Sequence, residues 1–330
     1  MISVSGAFRN FDRTYGYGVA AWHILQGFTD NKVTWAVDDP SQDIELFWGH
    51  PPYEFQRSHH YKIGYTAWES TGFKKDWEHT MKEADEIWTP TPWLSDHFEK
   101  TLDIPTWTYP HGISPEWESK RHYRPNNRPF TFYHIGEPQF RKNGQLVVDA
   151  FSELYGNNPD YRLIMKSSGM STTRIYTHSG SIVGTPPAVY SNIQFIEAML
   201  SFEQMLGIHH QVDALLYPSV GEGFGFHPLE ALASGLPVIS TSNWAVYDKY
   251  ITVPIEGTLS PCEWQSLHPG DVFNVTKEQV KEAMIDMVEN YDKYAGQAYK
   301  NSFHIHDEYS WEKQNLKAAE KIKNIAKSRI

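Results

Sequence analysis

Short apolar runs alternate with segments of helical periodicity along most of the chain, and this alternation predicts an α/β fold built on parallel sheets. Strands are expected at about residues 2–7, 33–37, 44–48, 61–67, 86–89, 106–109, 130–136, 161–167, 193–198, 214–218 and 237–241. Helices are expected at about 16–28, 74–84, 92–102, 144–155, 202–211, 228–235 and 276–291, with a last helix over 311–326. The series restarts after residue 129, so the pattern predicts two sheets that face each other across a cleft.

The polar stretch at 118–129 separates the two series. It includes Pro125 and Pro129 and has no hydrophobic period, which is typical of a linker. We therefore expect a first domain over residues 1–125 and a second domain over 126–307. Ligands of open parallel sheets bind beyond the carboxyl ends of the strands, so the cleft between the domains is the expected site.

Local signals predict two helix starts and one helix face. Ser201 with Gln204, and Thr276 with Gln279, have the spacing of capping boxes. The last helix should pack one side on the rest of the molecule. Its expected apolar face consists of Leu316, Ala319, Ile322 and Ile325.

Composition is that of an ordinary globular protein, with 40% hydrophobic and 21% charged residues. The 29 Lys and Arg residues against 40 Asp and Glu give a net charge of −11, which disfavours a dedicated nucleic-acid binder. One cysteine, Cys262, can form neither an internal disulfide nor a multi-thiolate metal site. No apolar run approaches a membrane span, and the first residues lack a signal-peptide pattern. We therefore expect a cytoplasmic protein with no stable membrane anchor.

The segment at 213–239 carries the most informative chemistry. A buried strand is expected to end at Pro218, and after a glycine-rich loop a helix is expected to start at Pro228, with Glu230 in its first turn. Backbone N–H groups of such a loop and helix start form an anion site that suits a diphosphate. Glu230 can accept hydrogen bonds from ribose hydroxyls, and Glu222 on the loop can reach another part of the same ligand. A tight strand–helix turn with two carboxylates near a helix start would show the same pattern.

The same segment resembles the donor site of a known enzyme family. Glu222-Gly-Phe-Gly-Phe-His-Pro-Leu-Glu230, followed by Ala-Leu-Ala-Ser-Gly-Leu-Pro-Val-Ile, is similar to the Glu-x7-Glu motif of the retaining glycosyltransferases of family 4, which have the GT-B fold of two Rossmann-like domains. Further segments at 85–90, 109–113 and 135–151 resemble the same family. The similarity covers most of residues 60–250 and the helix that starts at Ser310-Trp311.

The resemblance implies roles for residues of the second domain. Lys142 would contact the donor diphosphate, Glu222 the donor sugar and Glu230 the ribose. A fixed lysine would stabilise the negative charge that develops on the leaving phosphate. The same donor site would include Gly136, Gly223, Phe224 and Gly225.

The chain departs from the family pattern directly after Gly136. The family usually has an arginine there, where this chain has Glu137. The second cation must then come from Arg141 or from another residue such as Lys166. A simple surface position for Arg141 is the alternative.

In the first domain, the resemblance points to a glycine-rich loop and to a polar residue at the cleft. Thr14-Tyr-Gly16-Tyr-Gly18 stands where the family binds phosphate or acceptor after its first strand. The family often has a histidine at the end of its fourth strand, where this chain has Ile63-Gly-Tyr-Thr-Ala-Trp-Glu69. Glu69 and His50 are therefore the candidate catalytic residues of this domain, although a structural role for each is the alternative.

The resemblance therefore implies a retaining glycosyltransferase that needs no metal ion and no tightly bound cofactor. Its donor would be a nucleoside-diphosphate sugar, bound by the second domain. Its acceptor, bound by the first domain, would be a glycan, a small molecule or modified DNA. The resemblance also implies that the helix of residues 308–330 packs back on the first domain.

Two other functions fit parts of the sequence. Gly16-Tyr-Gly18-Val-Ala-Ala21, with Asp38 further on, matches a dinucleotide-binding fingerprint and would indicate an NAD-dependent oxidoreductase. That motif leaves the Glu222 segment unexplained. A non-catalytic module that binds nucleotide sugars is the second alternative, because of Glu137 and the missing histidine.

Overall fold

The computed structural model describes residues 1–11, 15–55, 61–137, 139–167, 175–176, 182–183 and 191–329. The first half of the chain forms β1 (Ile2–Gly6), α1 (Gly16–Asp30), β2 (Trp35–Val37), β3 (Ile44–Trp48), β4 (Tyr61–Tyr65), α2 (Lys75–Met81), β5 (Glu86–Thr89), α3 (Pro92–Leu102) and β6 (Thr106–Thr108). These strands form one six-stranded parallel sheet in the order β2-β1-β3-β4-β5-β6.

A second series follows the segment at 109–129. Its elements are β7 (Phe130–Ile135), α4 (Gly144–Tyr155), β8 (Tyr161–Ser167), β9 (Ile175–Tyr176), β10 (Ile182–Val183), β11 (Ile193–Glu197), α5 (Phe202–His209), β12 (Ala214–Tyr217), α6 (Phe226–Ala233), β13 (Val238–Thr241), β14 (Val253–Ile255), β15 (Thr258–Pro261), β16 (Asp271–Asn274), α7 (Lys277–Glu289), α8 (Tyr291–Glu308) and α9 (Trp311–Ser328). A second six-stranded parallel sheet has the order β11-β8-β7-β12-β13-β14. The α/β fold predicted from the alternation of elements is confirmed.

The central strands of both sheets are buried, including polar residues such as Glu45 and His134. Every residue of β3, β7, β12 and β13 is buried. Such continuous burial is characteristic of parallel sheets. Both predicted capping boxes are confirmed, with Ser201 and Gln204 at the start of α5 and Thr276 and Gln279 at the start of α7.

The two units contact each other beyond the carboxyl ends of their strands. The Thr71 N–H donates to the carbonyl of Asp271 at 3.0 Å, and the Gly72 N–H donates to the carbonyl of Pro269 at 2.9 Å. Gly223 lies so close to the first unit that a Cβ there would stand 2.5 Å from the Cβ of Ala67. These contacts place the loop after β12 directly against the loop after β4.

The chain returns to the first unit through α9. This helix packs on α1, and its residues Trp311, Ala318, Ala319 and Ile322 belong to the core cluster of the first sheet. A parallel bridge joins Ile113 to Ser310, so the two segments that connect the units lie side by side.

Two sequence-based expectations about helices need correction, and one helix was missed. Helix α6 begins at Phe226 rather than at Pro228, because Gly225 adopts a left-handed conformation (φ +79°) that caps it. Glu230 is consequently outside its first turn. Leu316 does not contribute to the apolar face of α9, since it is 45% exposed. Helix α8 was not anticipated.

Among the described residues, none of the helices has both the length and the apolar character that crossing a membrane would require.

Candidate active site

A buried cluster of charges lies where β7 and β12 end. Lys142 and Arg141 belong to a 3-10 turn (Phe140–Lys142) that follows β7, and Glu222 lies on the loop between β12 and α6. The Lys142 ammonium donates to Oε1 of Glu222 at 2.6 Å, and Nη1 of Arg141 lies 2.7 Å from Oε2 of the same carboxylate. One carboxylate therefore binds both cations.

Two hydroxyl groups complete the cluster. The Tyr217 hydroxyl donates to Oε1 of Glu222 at 2.9 Å and accepts a hydrogen bond from Lys142 at 2.6 Å. The Ser219 hydroxyl donates to the same Glu222 oxygen at 2.6 Å. Such a fully bonded network holds each charge in a fixed position. Tyr217 and Ser219 were not expected from the sequence, because nothing but their place before Glu222 distinguishes them.

Burial and mutual contact shift the pKa values of all three charged groups. Burial lowers the pKa of Lys142 to about 8, and the neighbouring Arg141 cation also lowers it, whereas Glu222 opposes the shift. Burial alone would raise the pKa of Glu222, but Arg141 and Lys142 hold it well below its usual range. Burial alone would lower the pKa of Arg141, but Glu222 and Glu69 raise it. All three groups are therefore charged at neutral pH.

Glu69 extends the cluster into the first unit. Its Oε1 lies 3.6 Å from Nη2 of Arg141, so one guanidinium lies between carboxylates from the two units. Oε2 of Glu69 lies 3.8 Å from Nδ1 of His268, a residue that no sequence pattern singled out. The structure thus brings Glu69 together with Arg141, Lys142 and Glu222.

His50 lies beside this group rather than within it. The Tyr17 hydroxyl is 3.0 Å from Nε2 of His50 and also donates to the carbonyl of Ala67 at 3.2 Å. Desolvation by the surrounding protein lowers the pKa of His50, although the Glu69 carboxylate opposes the shift. The Trp68 ring contacts His50 edge to face, with ring centroids 5.8 Å apart.

Glu230 is separate from the charge cluster. Its Oε2 lies 3.2 Å from Nδ1 of His227, one turn earlier in α6. The His227 ring contacts the ring of Tyr217, with centroids 6.3 Å apart. Glu230 is partly exposed, so its carboxylate is open to a ligand at the start of α6.

Lys166 also lies apart from Lys142 and Glu222. It is buried on β8, and its ammonium donates to the carbonyl of Ser167 at 3.2 Å. Burial lowers the pKa of Lys166, and the nearby Glu137 carboxylate opposes the shift. Of the two cations considered from the sequence, Arg141 is therefore the one placed beside Lys142.

The expected glycines differ in how closely they are packed. Gly16 and Gly18 lie in the first turn of α1 rather than in a loop, and a Cβ on Gly16 would meet the Phe226 ring at 3.5 Å. Thr14 lies outside the described residues. A Cβ on Gly136 would stand 3.1 Å from Cγ of Lys142, so glycine there leaves room for the lysine. A Cβ on Gly225 would stand 2.5 Å from the Tyr247 hydroxyl.

Phe224 is packed between the two units. Its ring is buried and contacts the His111 ring edge to face, with centroids 4.7 Å apart. This contact joins the loop before α6 to the loop after β6. Phe224 therefore holds the loop before α6 against the first unit.

Within the described ranges, no group of three or more His, Cys, Asp or Glu side chains could hold a metal ion.

Solved structures with the same architecture are glycosyltransferases of the GT-B fold. Sucrose-phosphate synthase from Thermosynechococcus elongatus superposes with a TM-score of 0.70 at 12% identity, and the alignment covers 99% of each chain. The pneumococcal O-GlcNAc transferase GtfA, solved in complex with UDP and GlcNAc, gives a TM-score of 0.56 at 15% identity over 94% of this chain and 61% of that one. At such identities the likeness establishes the fold alone, and the predicted GT-B architecture is confirmed.

The sequence comparisons are more specific but cover less of the chain. Residues 129–256, which include Lys142, Glu222 and Glu230, match the family model described as glycosyl transferases group 1. The O-antigen chain mannosyltransferase RfbU of Salmonella typhimurium is 42% identical over 53 residues, which is 16% of this chain and only 15% of that protein. Residues 129–256 therefore resemble a group 1 glycosyltransferase domain, and the predicted glycosyltransferase class is confirmed for that segment.

Proposed function

We propose that the whole chain transfers a sugar from a nucleoside-diphosphate sugar to an acceptor hydroxyl, with retention of the anomeric configuration and without a metal ion. The observation that supports this function best is the buried contact of Lys142 and Arg141 with Glu222, at the carboxyl ends of β7 and β12. Ligands of parallel α/β sheets bind at such strand ends. The similarity of the Glu222 segment to retaining family 4 enzymes is the support for retention.

In this proposal Lys142 and Arg141 bind the donor diphosphate. When the bond between the anomeric carbon and the phosphate oxygen breaks, negative charge develops on the leaving group. Two fixed cations that already lie in a poorly solvated site would stabilise that charge without further reorganisation. The acceptor hydroxyl forms the new bond to the anomeric carbon, and its proton passes to an oxygen of the leaving phosphate.

Glu222 is assigned the donor sugar. Without a donor its carboxylate balances the two cations, as the distances of 2.6 Å and 2.7 Å show. A diphosphate that takes over the cations would release Glu222 oxygens to accept hydrogen bonds from sugar hydroxyls. The donor diphosphate would then provide the negative charge beside the two cations, and sugar hydroxyls would provide hydrogen bonds to the Glu222 carboxylate.

Glu230 is assigned the ribose of the nucleotide. It is partly exposed in the second turn of α6, and the backbone N–H groups of the preceding first turn favour a nearby anion such as the diphosphate. We assign donor binding to residues 126–307 and acceptor binding to residues 1–125 with 308–330. Gly16 and Gly18 would then contact the ligand through the first turn of α1.

The acceptor class is proposed as a glycan or a small molecule, with modified DNA disfavoured by the net charge of −11. We also propose a cytoplasmic location, since the one cysteine, Cys262, is a free buried thiol. A free thiol is compatible with a reducing compartment.

The function is tested by incubating the protein with UDP- and GDP-sugars, first by thermal shift and then by release of the nucleoside diphosphate. A ligand that binds only the folded state raises its apparent stability. The assay should work in the presence of EDTA, and NMR of the product should show the anomeric configuration of the donor.

The Lys142→Ala variant should lose turnover by about a hundredfold or more. Wild-type turnover in that variant would remove Lys142 from the site.

A further inference from the structure

Glu69 and His268 come from different units and meet at the contact between them. Glu69 lies on the loop after β4, and His268 lies just before β16. The neighbouring residues Thr71 and Gly72 form backbone hydrogen bonds with Asp271 and Pro269. The pair therefore exists only when the two units are together.

Each of the two side chains has a polar atom that is buried without a hydrogen-bond partner among the described residues. These atoms are Oε2 of Glu69 and Nδ1 of His268, and His268 is only 6% exposed. Their separation of 3.8 Å is too long for a direct hydrogen bond. A buried polar atom without a partner destabilises the folded state. Two such atoms side by side indicate a place for a third polar group.

The chemistry of the pair fits a hydroxyl group. A hydroxyl can donate to the carboxylate oxygen and accept from, or donate to, the imidazole nitrogen. Burial lowers the pKa of His268, and although Glu69 opposes the shift, the ring is mainly neutral at neutral pH. A neutral ring can serve as donor or acceptor, depending on its tautomer.

The pair lies next to the cations that are assigned to the leaving diphosphate. Oε1 of Glu69 is 3.6 Å from Nη2 of Arg141, so the carboxylate lies beside them. The Trp68 ring packs against His268, with ring centroids 5.2 Å apart, and is itself only 3% exposed, so it holds the imidazole in place. An acceptor sugar whose hydroxyl reacts at the anomeric carbon must lie beside this diphosphate, close to the pair.

We propose that Glu69 and His268 together bind a hydroxyl group of the acceptor sugar, so that both units contribute to the acceptor site. This inference rests on the proposed function, because it needs an acceptor beside the donor diphosphate. It assigns an acceptor-binding role to a residue of the donor-side unit. It also explains why neither atom has a hydrogen-bond partner among the residues that the structure describes.

The test uses an isosteric pair of substitutions. His268→Asn keeps a polar group near the position of Nδ1, whereas His268→Leu replaces it with an apolar group of similar shape. Ser266→Ala, at an exposed position of the same segment, is the matched control. The donor is the nucleotide sugar that gives the largest thermal shift with the wild type. The acceptor probes are the methyl glycosides of glucose, galactose and mannose.

For His268→Leu we expect the KM for the methyl glycoside to rise about tenfold or more, which is the loss of about one hydrogen bond to a buried group. The KM for the donor and the rate of donor hydrolysis in water should change less than about twofold. His268→Asn should recover most of the loss, and Ser266→Ala should match the wild type.

Four outcomes would overturn the inference alone. The first is an unchanged acceptor KM in His268→Leu, and the second is an equal loss of donor hydrolysis and of transfer in that variant. The third is a His268→Asn variant as impaired as His268→Leu, and the fourth is a wild type that hydrolyses the donor but neither binds nor uses any of the glycosides. If His268→Leu does not fold, His268→Phe, which keeps a ring without polar atoms, is measured instead, with the same expected rise in acceptor KM. A wild type that turns over no nucleotide sugar would overturn the proposed function itself.

Discussion

Glu222 is the residue on which the buried charges depend. Its two oxygens bind Lys142 and Arg141, and it also accepts hydrogen bonds from Tyr217 and Ser219. Each of the three charged side chains is at most 15% exposed. Removal of the carboxylate would leave two cations close together in a poorly solvated place. The same residue is therefore expected to govern both stability and ligand binding.

For Glu222→Ala we predict a free energy of unfolding lower by about 3–5 kcal/mol, because the change leaves buried cations without their partner. UDP or GDP should raise the melting temperature of this variant more than that of the wild type, since the diphosphate replaces the lost anion. Urea denaturation and thermal shift measure the two effects.

Glu78→Ala is the control for this prediction. Glu78 forms an exposed pair with Lys82, in which both side chains are 50% exposed, and its loss should cost less than about 1 kcal/mol. Equal stability changes in the two variants would contradict the proposed role of the Glu222 carboxylate in stabilising the two buried cations.

Nucleoside diphosphate binding should weaken as the pH rises through about 8, the pKa of Lys142. A bound anion favours the charged lysine and raises its pKa, so binding takes up a proton above this pH. Affinity then falls by up to about tenfold per pH unit. Calorimetry with UDP or GDP from about pH 7 to about pH 9.5 measures the effect.

Lys142→Arg tests the origin of the pH dependence, because an arginine stays protonated over this range. The variant should bind with nearly constant affinity. The same slope in both proteins would assign the pH dependence to another group.

At the scale of elements, the start of α6 depends on Gly225. Its left-handed backbone (φ +79°) lets the chain turn from the loop into the helix, and the Tyr247 hydroxyl donates to its carbonyl. A Cβ at this position would stand 2.7 Å from the Trp244 ring. The glycine thus determines where α6 begins and, through the helix, where Glu230 lies.

Gly225→Ala should therefore lower the free energy of unfolding by about 1–3 kcal/mol, through the strained backbone and the contact with Trp244 and Tyr247. It should also weaken binding of UDP or GDP, because Glu230 shifts with the helix. Gly296→Ala in α8, where a Cβ would meet nothing within 4 Å, should instead be neutral or stabilise by up to about 1 kcal/mol. A similar effect of both changes in urea denaturation would refute this explanation.

The sequence predicted elements well where their own residues determine them. Helix α3 begins at Pro92 after the capping residue Thr91, and both signals are local. Helix α8 was missed because most of its buried face consists of small or polar residues, which give a weak apolar period. Its buried residues are Tyr291, Ala295, Ala298, Ser302 and Ile305.

The residues of the candidate site also fall into two groups, those that the sequence could identify and those that it could not. Lys142, Glu222 and Glu230 could be selected because they lie within a compact motif that resembles a known family, and their roles stay predictions. His268 could not be selected, because its partner Glu69 lies in the other unit and no local pattern relates the two. Leu316 was misplaced because the buried side of α9 is set by its fit against α1, where polar Gln314 and Asn315 are buried instead.

At the scale of the whole molecule, the contact between the units should control transfer separately from nucleotide binding. Gly72 is a suitable position, because a Cβ there would stand 2.5 Å from the carbonyl oxygen of Pro269. Gly72→Val should keep the units apart at this point. Small-angle scattering should show a larger radius of gyration.

In Gly72→Val, binding of UDP or GDP should stay within a few-fold of the wild type, because Lys142, Arg141 and Glu230 all lie in the second unit. Sugar transfer should fall by about tenfold or more, since the acceptor side no longer meets the donor. Gly207→Ala, where a Cβ would meet nothing within 4 Å, is the control. Parallel loss of binding and transfer would mean that the two units form a single binding surface.

The position of α9 has a consequence for the order in which the protein folds during synthesis. Its residues Trp311, Ala318, Ala319 and Ile322 complete the core beneath the first sheet, yet the ribosome adds them after every strand of both sheets. The second unit can close its own core while the first still lacks part of its interior. The first unit is therefore synthesised first but is expected to complete its folding last. Until then its exposed apolar surface would be a natural target for chaperones.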